Sequence, residues 1–368
     1  HKKPSGVWIM AYTTIDDPTI YFSTVLYAGN RPDGGGGSQN ITGVGFSPDW
    51  VWIKCRSASK SHYFFDTVRG VNTQLNTNNT NDENVSSSLT HFLSDGFTLS
   101  DEPEVNLDGE TYVAWNWKCE TAFTNDASAT SIGTIDTAGQ ANNTAGISIA
   151  TWTGTGNVGT IKHGLSSTPQ WAMIKNRSED ARHWNIYHKD INNTHYFQFD
   201  TNAKLDDAGV FDDTSPTSSV MTIGASNRGN ENTKSHIGYF FSEIKGYSKF
   251  GSYTGNGSAD GTFVYTGFKP AWTLIKRIDS STGGSWILFD NKRGVNVVNP
   301  IDVVMAASNN QSESDWGTAY DCDYLSNGFK WRHDGSSNYV NVSGATYVFM
   351  AFAENPFVNS NGVPNNAR

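Results

Sequence analysis

Cysteine is scarce in this chain. Cys55, Cys119 and Cys322 are the whole complement, odd in number and without CxxC spacing. That pattern excludes a disulfide framework and a cysteine zinc motif. A Cys55–Cys119 bridge is the pairing to weigh, because both residues end strands of one module; free thiols are expected. Long apolar runs are also missing. No stretch approaches the ~18 apolar residues that mark a membrane-spanning helix, so no membrane insertion is expected. The first ten residues, with an apolar run only from Val7 to Met10, fall short of a signal peptide. Positive charge is in deficit: Lys+Arg 26 against Asp+Glu 36 gives a net charge of −10. The basic residues are scattered rather than clustered, which argues against a nucleic-acid partner. Helical periodicity over three turns is absent as well. Asp33-Gly-Gly-Gly-Gly37 lacks the Gly-Lys-Ser/Thr of a phosphate cradle and reads as a surface loop. No cofactor and no metal are expected.

What the chain does contain is repetition. Pro48-Asp-Trp50-Val-Trp52-Ile53-Lys54, Pro169-Gln-Trp171-Ala-Met173-Ile174-Lys175 and Pro270-Ala-Trp272-Thr-Leu274-Ile275-Lys276 share one pattern, spaced by 121 and 101 residues. Each heptad reads as a strand, with proline at its first residue. Alternation places Trp50, Trp52 and Lys54 on one face and Val51 and Ile53 on the other. Both faces are apolar in all copies, which predicts a central strand in a two-layer structure.

Further landmarks recur around the heptads. Aromatic runs follow at Tyr63–Asp66, Trp184–Tyr187 and Trp286–Asp290. The first and third copies add Asp-x-x-Arg-Gly-Val-Asn, at Asp66…Arg69-Gly70 and Asp290…Arg293-Gly294. A second aromatic strand closes each unit, at Tyr112–Trp117, Ile237–Phe241 and Tyr347–Phe352. Gly-rich approaches precede the heptads at Gly29-Asn30, Gly154-Thr-Gly156 and Gly255-Asn-Gly257. Short strands between Gly, Asn, Asp and Ser turns argue for an all-β protein of three tandem antiparallel β-sandwich, jelly-roll or concanavalin-like domains. The expected division is an N-terminal arm at 1–19, modules at 20–121, 146–246 and 247–353, a linker or lead-in strand at 122–145, and a C-terminal tail at 354–368.

Long signatures run through the sequence: His163-Gly-Leu…Pro169…Ile174-Lys-Asn-Arg-Ser178…Trp184-Asn-Ile-Tyr-His188, Gly246-Tyr-Ser-Lys-Phe-Gly-Ser-Tyr-Thr-Gly-Asn-Gly257, Thr266-Gly-Phe-Lys-Pro-Ala-Trp272, Leu325-Ser-Asn-Gly-Phe-Lys330 and Met350-Ala-Phe-Ala-Glu-Asn-Pro-Phe357. Together they resemble a family of structural proteins of tailed bacteriophages, abundant in marine phages, and the match covers nearly the whole chain from about Thr13 onward. In that pattern Met10-Ala-Tyr-Thr-Thr-Ile-Asp-Asp-Pro is a natural beginning, with residues 1–9 as an upstream extension. The resemblance implies a virion component and supplies no catalytic residues. Other virion proteins become the expected partners, with a host cell-surface glycan or receptor as the outward contact. By analogy with fibres, a homotrimer is expected.

Polar constellations are few. Asp66 with Arg69, and Asp290 with Arg293, read as ion pairs holding the turns at Gly70 and Gly294; a sugar or metal pocket is the competing reading. Acidic clusters at Asp101–Glu104, Asp206–Asp213 and Asp321–Asp323 read as solvated loops, with calcium as the alternative. The histidines His163, His183, His188 and His195 show no metal-ligand spacing. No carboxylate pair or activated nucleophile can be named, so no enzyme is expected. Most tryptophans sit on the repeated strands and belong to the core. Trp152, Trp316 and Trp331 lie outside the strict repeat and are the candidates for stacking on a glycan. The expected function is a virion tail fibre or spike contacting the host. A capsid or other virion-surface decoration protein is the first alternative, and a glycan-degrading enzyme the second.

Overall fold

The repeated heptads lie in the middle of three large antiparallel sheets. The computed structural model describes residues 12–199, 204–207, 209–279, 284–294, 298–315, 320–336 and 339–366. In the first sheet the strand order is Phe22–Ala28, Thr111–Trp117, Trp50–Cys55, His62–Asp66, Thr73–Asn76, Asn84–Val85. In the third it is Ser248–Thr254, Thr346–Pro356, Phe268–Arg277, Ile287–Asp290, Val303–Ala306, Ser314–Asp315. The second keeps the same order, Ile147–Thr153, Ser235–Phe241, Trp171–Asn176, Asn185–His188, His195–Gln198, Leu205–Asp206, and extends it at one edge by Thr137–Asn142 and Thr121–Asn125. The protein is all-β. Register repeats with order: Trp50, Trp171 and Trp272 pair with Trp117, Phe241 and Phe352 on one side, and with Asp66, His188 and Asp290 on the other.

Alternation then gives each large sheet two buried faces. Val51, Ile53 and Cys55 face a local core with Ile41, Phe97 and Leu99 of a small sheet, Gln39–Thr42, Gly96–Leu99 and Leu89–Leu93. Ala172 and Ile174 do the same over Gly159–Lys162 and Val220–Ile223. Ile275 does so over Phe263–Tyr265, Gly328–Trp331 and Cys322–Leu325. The opposite faces, which carry the tryptophans, all meet in one shared core. Trp50 stacks on Trp117 at 4.1 Å and reaches Tyr239 of the second repeat at 5.0 Å. Trp52 meets Trp272 of the third repeat at 6.0 Å, and Trp171 meets Trp286 at 5.6 Å. Each ring removes ~150–250 Å² from water, or about 4–6 kcal/mol before entropy is subtracted.

Pro48 and Pro169 are not the first residues of their strands but lie two residues ahead of them, and the third repeat differs again. The strand begins earlier, at Phe268, and Pro270 sits where the register slips against Thr346–Pro356. A residue without an N–H is tolerated at such an irregularity. The 122–145 stretch supplies two paired strands and the short helix Ala127–Thr130, and Ile135 makes a single bridge to Ile161. The Gly-rich approaches have a steric cause. A Cβ on Gly29, Gly154 or Gly255 would lie 2.0, 2.1 or 2.3 Å from the carbonyl oxygen of Leu107, Glu231 or Val342. Beside each glycine a buried asparagine, Asn106, Asn230 or Asn341, accepts a hydrogen bond from the N–H of Asn30, Thr155 or Asn256. All three cysteines are free and buried. Among the described residues no helix is long and apolar enough to cross a membrane.

Trp50 contacts two repeats at once, so its loss cannot be absorbed locally. Trp50→Ala is expected to cost about 3–5 kcal/mol, measured as the shift in guanidinium unfolding of the full chain. A cost under about 1 kcal/mol would contradict the shared core.

Candidate functional site

The sharpest polar motif leads to the seams between repeats, not to a pocket. The Asp66 and Arg69 side chains form an ion pair with 0% exposure on both partners. Arg69 also donates to Glu83 at 3.3 Å, and Glu83 is held by Arg177 of the second repeat at 2.9 and 2.7 Å. From the other side Tyr239, again of the second repeat, donates its hydroxyl to Asp66 at 2.7 Å. The next seam repeats this network. Asp290 pairs with Arg293 at 2.5 Å, again with both side chains at 0% exposure. Arg293 donates to Glu313 at 3.4 Å, Arg56 of the first repeat grips Glu313 at 2.8 and 2.9 Å, and Trp115 donates Nε1–H to Asp290 at 3.0 Å. Burial pushes the Asp290 carboxyl upward, but the Arg293 charge and the backbone donors of Lys292 and Arg293 hold it below the usual carboxylate range. Neither Asp66 nor Asp290 faces solvent, and each is spent on holding a seam between repeats.

The third seam is built without them. His188 stands in register where Asp66 and Asp290 stand, and Ile191, in the central core, stands where Arg69 and Arg293 stand. Met350 occupies the place of Tyr239 and Trp115. Lys204 precedes its edge strand where Glu83 and Glu313 precede theirs. A thioether cannot donate, so a buried carboxylate opposite it would lose its partner. Here Ile191 and Met350 lie in the central core, and His188 Nδ1 accepts from Asp190 N–H at 3.0 Å.

One set of bonds recurs at all seams. His62, Trp184 and Trp286 stand four residues before Asp66, His188 and Asp290. Trp184 donates to Asn76 O at 2.7 Å and Trp286 to Gln198 O at 2.9 Å. His62 Nδ1 accepts from Trp52 Nε1 at 2.9 Å, which leaves Nε2–H to donate to Ala306 O at 3.0 Å. First repeat binds third, second binds first, third binds second. The seams are head-to-tail and the ring closes.

The tryptophan candidates are placed as follows. Trp331 is 0% exposed within the local core of the third repeat. Trp152 is 4% exposed, donates to Gly229 O at 3.1 Å and stacks on His236 at 5.6 Å. Neither offers a free ring face. Trp316 lies outside the described residues, as do Val295 and Asn296 of the third-repeat motif. The acidic clusters hold their own loops. Asp101 pairs with Arg31, Glu104 with Lys60 and Asp323 with Arg332, and Asp207 accepts from the N–H groups of Val210, Phe211 and Asp213.

The surface feature that sequence reading missed is a shallow groove in the second repeat. About 300 Å³ of it lies among Asp136, Thr137, Thr151, Thr153, Arg177 and Ser235, above Trp152. It runs on, through Asp136 and Thr153, into a further 460 Å³ or so beside Thr155 and Asn232. One wall is the 121–142 hairpin, which has no counterpart in the other repeats among the described residues. Asp136 accepts from Ala127 N–H at 2.8 Å and Arg177 is committed to Glu83, so the chemistry on offer is hydroxyl hydrogen bonding rather than proton transfer. The extra strands are the signal that marked it, hidden in small polar residues.

An all-β chain closed from three repeats is the class this geometry defines. The chain belongs to the family defined by a domain of unknown function, DUF7483, whose model matches residues 17–356. No curated protein matches it.

Two predictions follow from the seams. Asp66→Ala strands the Arg69 charge in the core and is expected to cost about 3–5 kcal/mol, most of it recovered in Asp66→Ala/Arg69→Met; equilibrium unfolding of both variants checks this. The buried histidines set an acid limit. Burial holds His163 and His236 at about 4 and His188, with Lys189 adding to it, at about 3; His62 is also held well below 6.5, by burial and then by Lys54. The unfolded chain takes these protons at about 6.5 and the folded chain does not. From these histidines stability is therefore expected to fall below about 6.5, by up to ~1.4 kcal/mol per pH unit per histidine, while Lys276 and Lys54, brought down by burial to about 7 and about 8, keep it rising above those values. Unfolding midpoints between pH 8 and 5 test this, and His188→Leu should remove about one proton from the slope.

Proposed function

We propose that this chain is a structural protein of a bacteriophage particle, a tail fibre or spike component that contacts the host surface and performs no catalysis. The resemblance in the long signatures from Thr13 to Phe357 supports the virion assignment. The observation that carries the presenting role is where the charged repeats are spent: Asp66–Arg69 and Asp290–Arg293 are buried in seams, while the unit's added structure sits at the outer edge of the second sheet. A rigid centre with variable periphery suits a protein that displays surfaces. In the same reading each large sheet with its small partner is a β-sandwich module of jelly-roll type, three in tandem. Other virion proteins are the partners that hold it in the particle. Fibres offer the trimer by analogy; the internal ring already gives one chain three like faces.

Electron microscopy of particles with this protein gold-labelled is the direct test. Label at the tail tip is expected. Label spread over the head would replace the reading with capsid decoration. Release of reducing ends from host polysaccharide by the purified chain would replace it with a glycan-degrading enzyme.

A further inference from the structure

A second pocket, of about 280 Å³, lies where three distant segments meet. The N-terminal segment brings Tyr12, the connection between the second and third repeats brings Lys245 and Lys249, and the turn before the third heptad brings Tyr265 and Gly267. The parts are fixed. Tyr12 donates its hydroxyl to Gly267 O at 2.8 Å and stands 3.1 Å from the Tyr265 hydroxyl. Thr13 Oγ1 donates to Lys245 O at 2.8 Å. Gly246, at φ +81°, lets this segment lie close, since a Cβ there would meet Thr13 at 2.8 Å.

The charge of the pocket runs against that of the chain. Lys245 Nζ sits 4.5 Å from the Tyr12 ring centroid and Lys249 Nζ 5.8 Å from that of Tyr265. Among the described residues neither ammonium is in an ion pair. The carboxylate at the rim, Glu243, is bound to Lys189 at 2.8 Å and accepts from Phe250 N–H at 3.0 Å. Two cations are thus left over on a molecule of net charge −10. Beside them Phe263 and Tyr265, 43% and 50% exposed, point to the same side of one strand. Tyr265 lines the pocket beside the ammoniums and Phe263 extends the same side of the strand beyond it, a combination that stacks on a sugar while pairing its acid group. A related hollow in the second repeat has Lys162 over Phe123 at 5.8 Å, but there the rim carboxylate Glu120 is held by Lys118 at 3.1 Å and a single lysine remains.

We infer that the Tyr12–Lys245–Lys249–Tyr265 pocket binds an acidic saccharide, through its carboxylate or sulfate, with Tyr265 and Phe263 beneath the sugar ring. The inference rests on the surface-contact reading for its role, but its test uses the purified chain, so its failure leaves the particle-labelling result standing. Calorimetric titration at 0.15 M NaCl, where exposed charges are screened beyond ~8 Å, would compare polygalacturonate, dextran sulfate, neutral dextran and inorganic sulfate. Binding of one acidic polymer, absent with neutral dextran and weaker with inorganic sulfate, is expected. Lys245→Gln/Lys249→Gln and Tyr265→Ala should each lower affinity at least tenfold while thermal unfolding stays unchanged; Lys204→Gln, just before the edge strand of the second sheet, should bind as the parent does. Equal binding of neutral dextran, equal binding of inorganic sulfate, variants that bind like the parent, or no binding of either acidic polymer would overturn it.

Discussion

Everything in this molecule depends on three aromatic sheet faces being buried against one another. A sheet with rings on both faces cannot leave either face in water. The small sheets cover one face of each large sheet locally. The other faces, with Trp50, Trp52, Trp171 and Trp272, have no local cover and must find each other. Three such faces close a ring, and the carbonyl bonds from His62, Trp184 and Trp286 run in one rotational sense around it. The arrangement is that of a cyclic trimer built within one chain.

The seams show how far three copies can drift while the ring stays closed. Two seams keep a buried carboxylate, its arginine, a bridging glutamate and a donor from the neighbouring repeat. In the third, His188, Ile191 and Met350 replace these together. Low dielectric explains the all-or-none pattern: a charge left without its partner in such a place is far worse than no charge at all. Drift at one position therefore drags its partners with it. The 121–142 hairpin shows the opposite case, an addition at a sheet edge that disturbs no seam.

Much of the fold was legible in the sequence because strand alternation is a local property. Trp50 and Trp52 against Val51 and Ile53 could be assigned to opposite faces from spacing alone, and they lie there. The sharing of the inner face was not legible. Nothing local distinguishes a tryptophan that packs within its own repeat from one that packs against the next. The seam partners were half legible: an arginine stands two residues after each of the first two heptads, at Arg56 and Arg177, and both cross seams, whereas Arg277 pairs with Asp279 and Glu83 and Glu313 lie in polar loops without pattern. The 121–142 strands were obscured because Ala, Gly, Thr and Asn carry little strand signal, and Gly139 is required where a Cβ would lie 2.0 Å from Ile149 O. Trp152 and Trp331 fall outside the heptads yet are buried, since the local cores beneath the small sheets are aromatic too. Of the surface pockets, the one lined by Tyr12, Lys249 and Tyr265 joins segments more than two hundred residues apart, beyond the reach of any spacing rule.

Scanning calorimetry of the intact chain tests the shared core most directly. One closed core makes the three repeats a single cooperative unit, so the calorimetric and van't Hoff enthalpies should agree, in one transition. A calorimetric enthalpy about three times the van't Hoff value, or separable transitions, would mean that the repeats fold independently and that the ring is not what holds them.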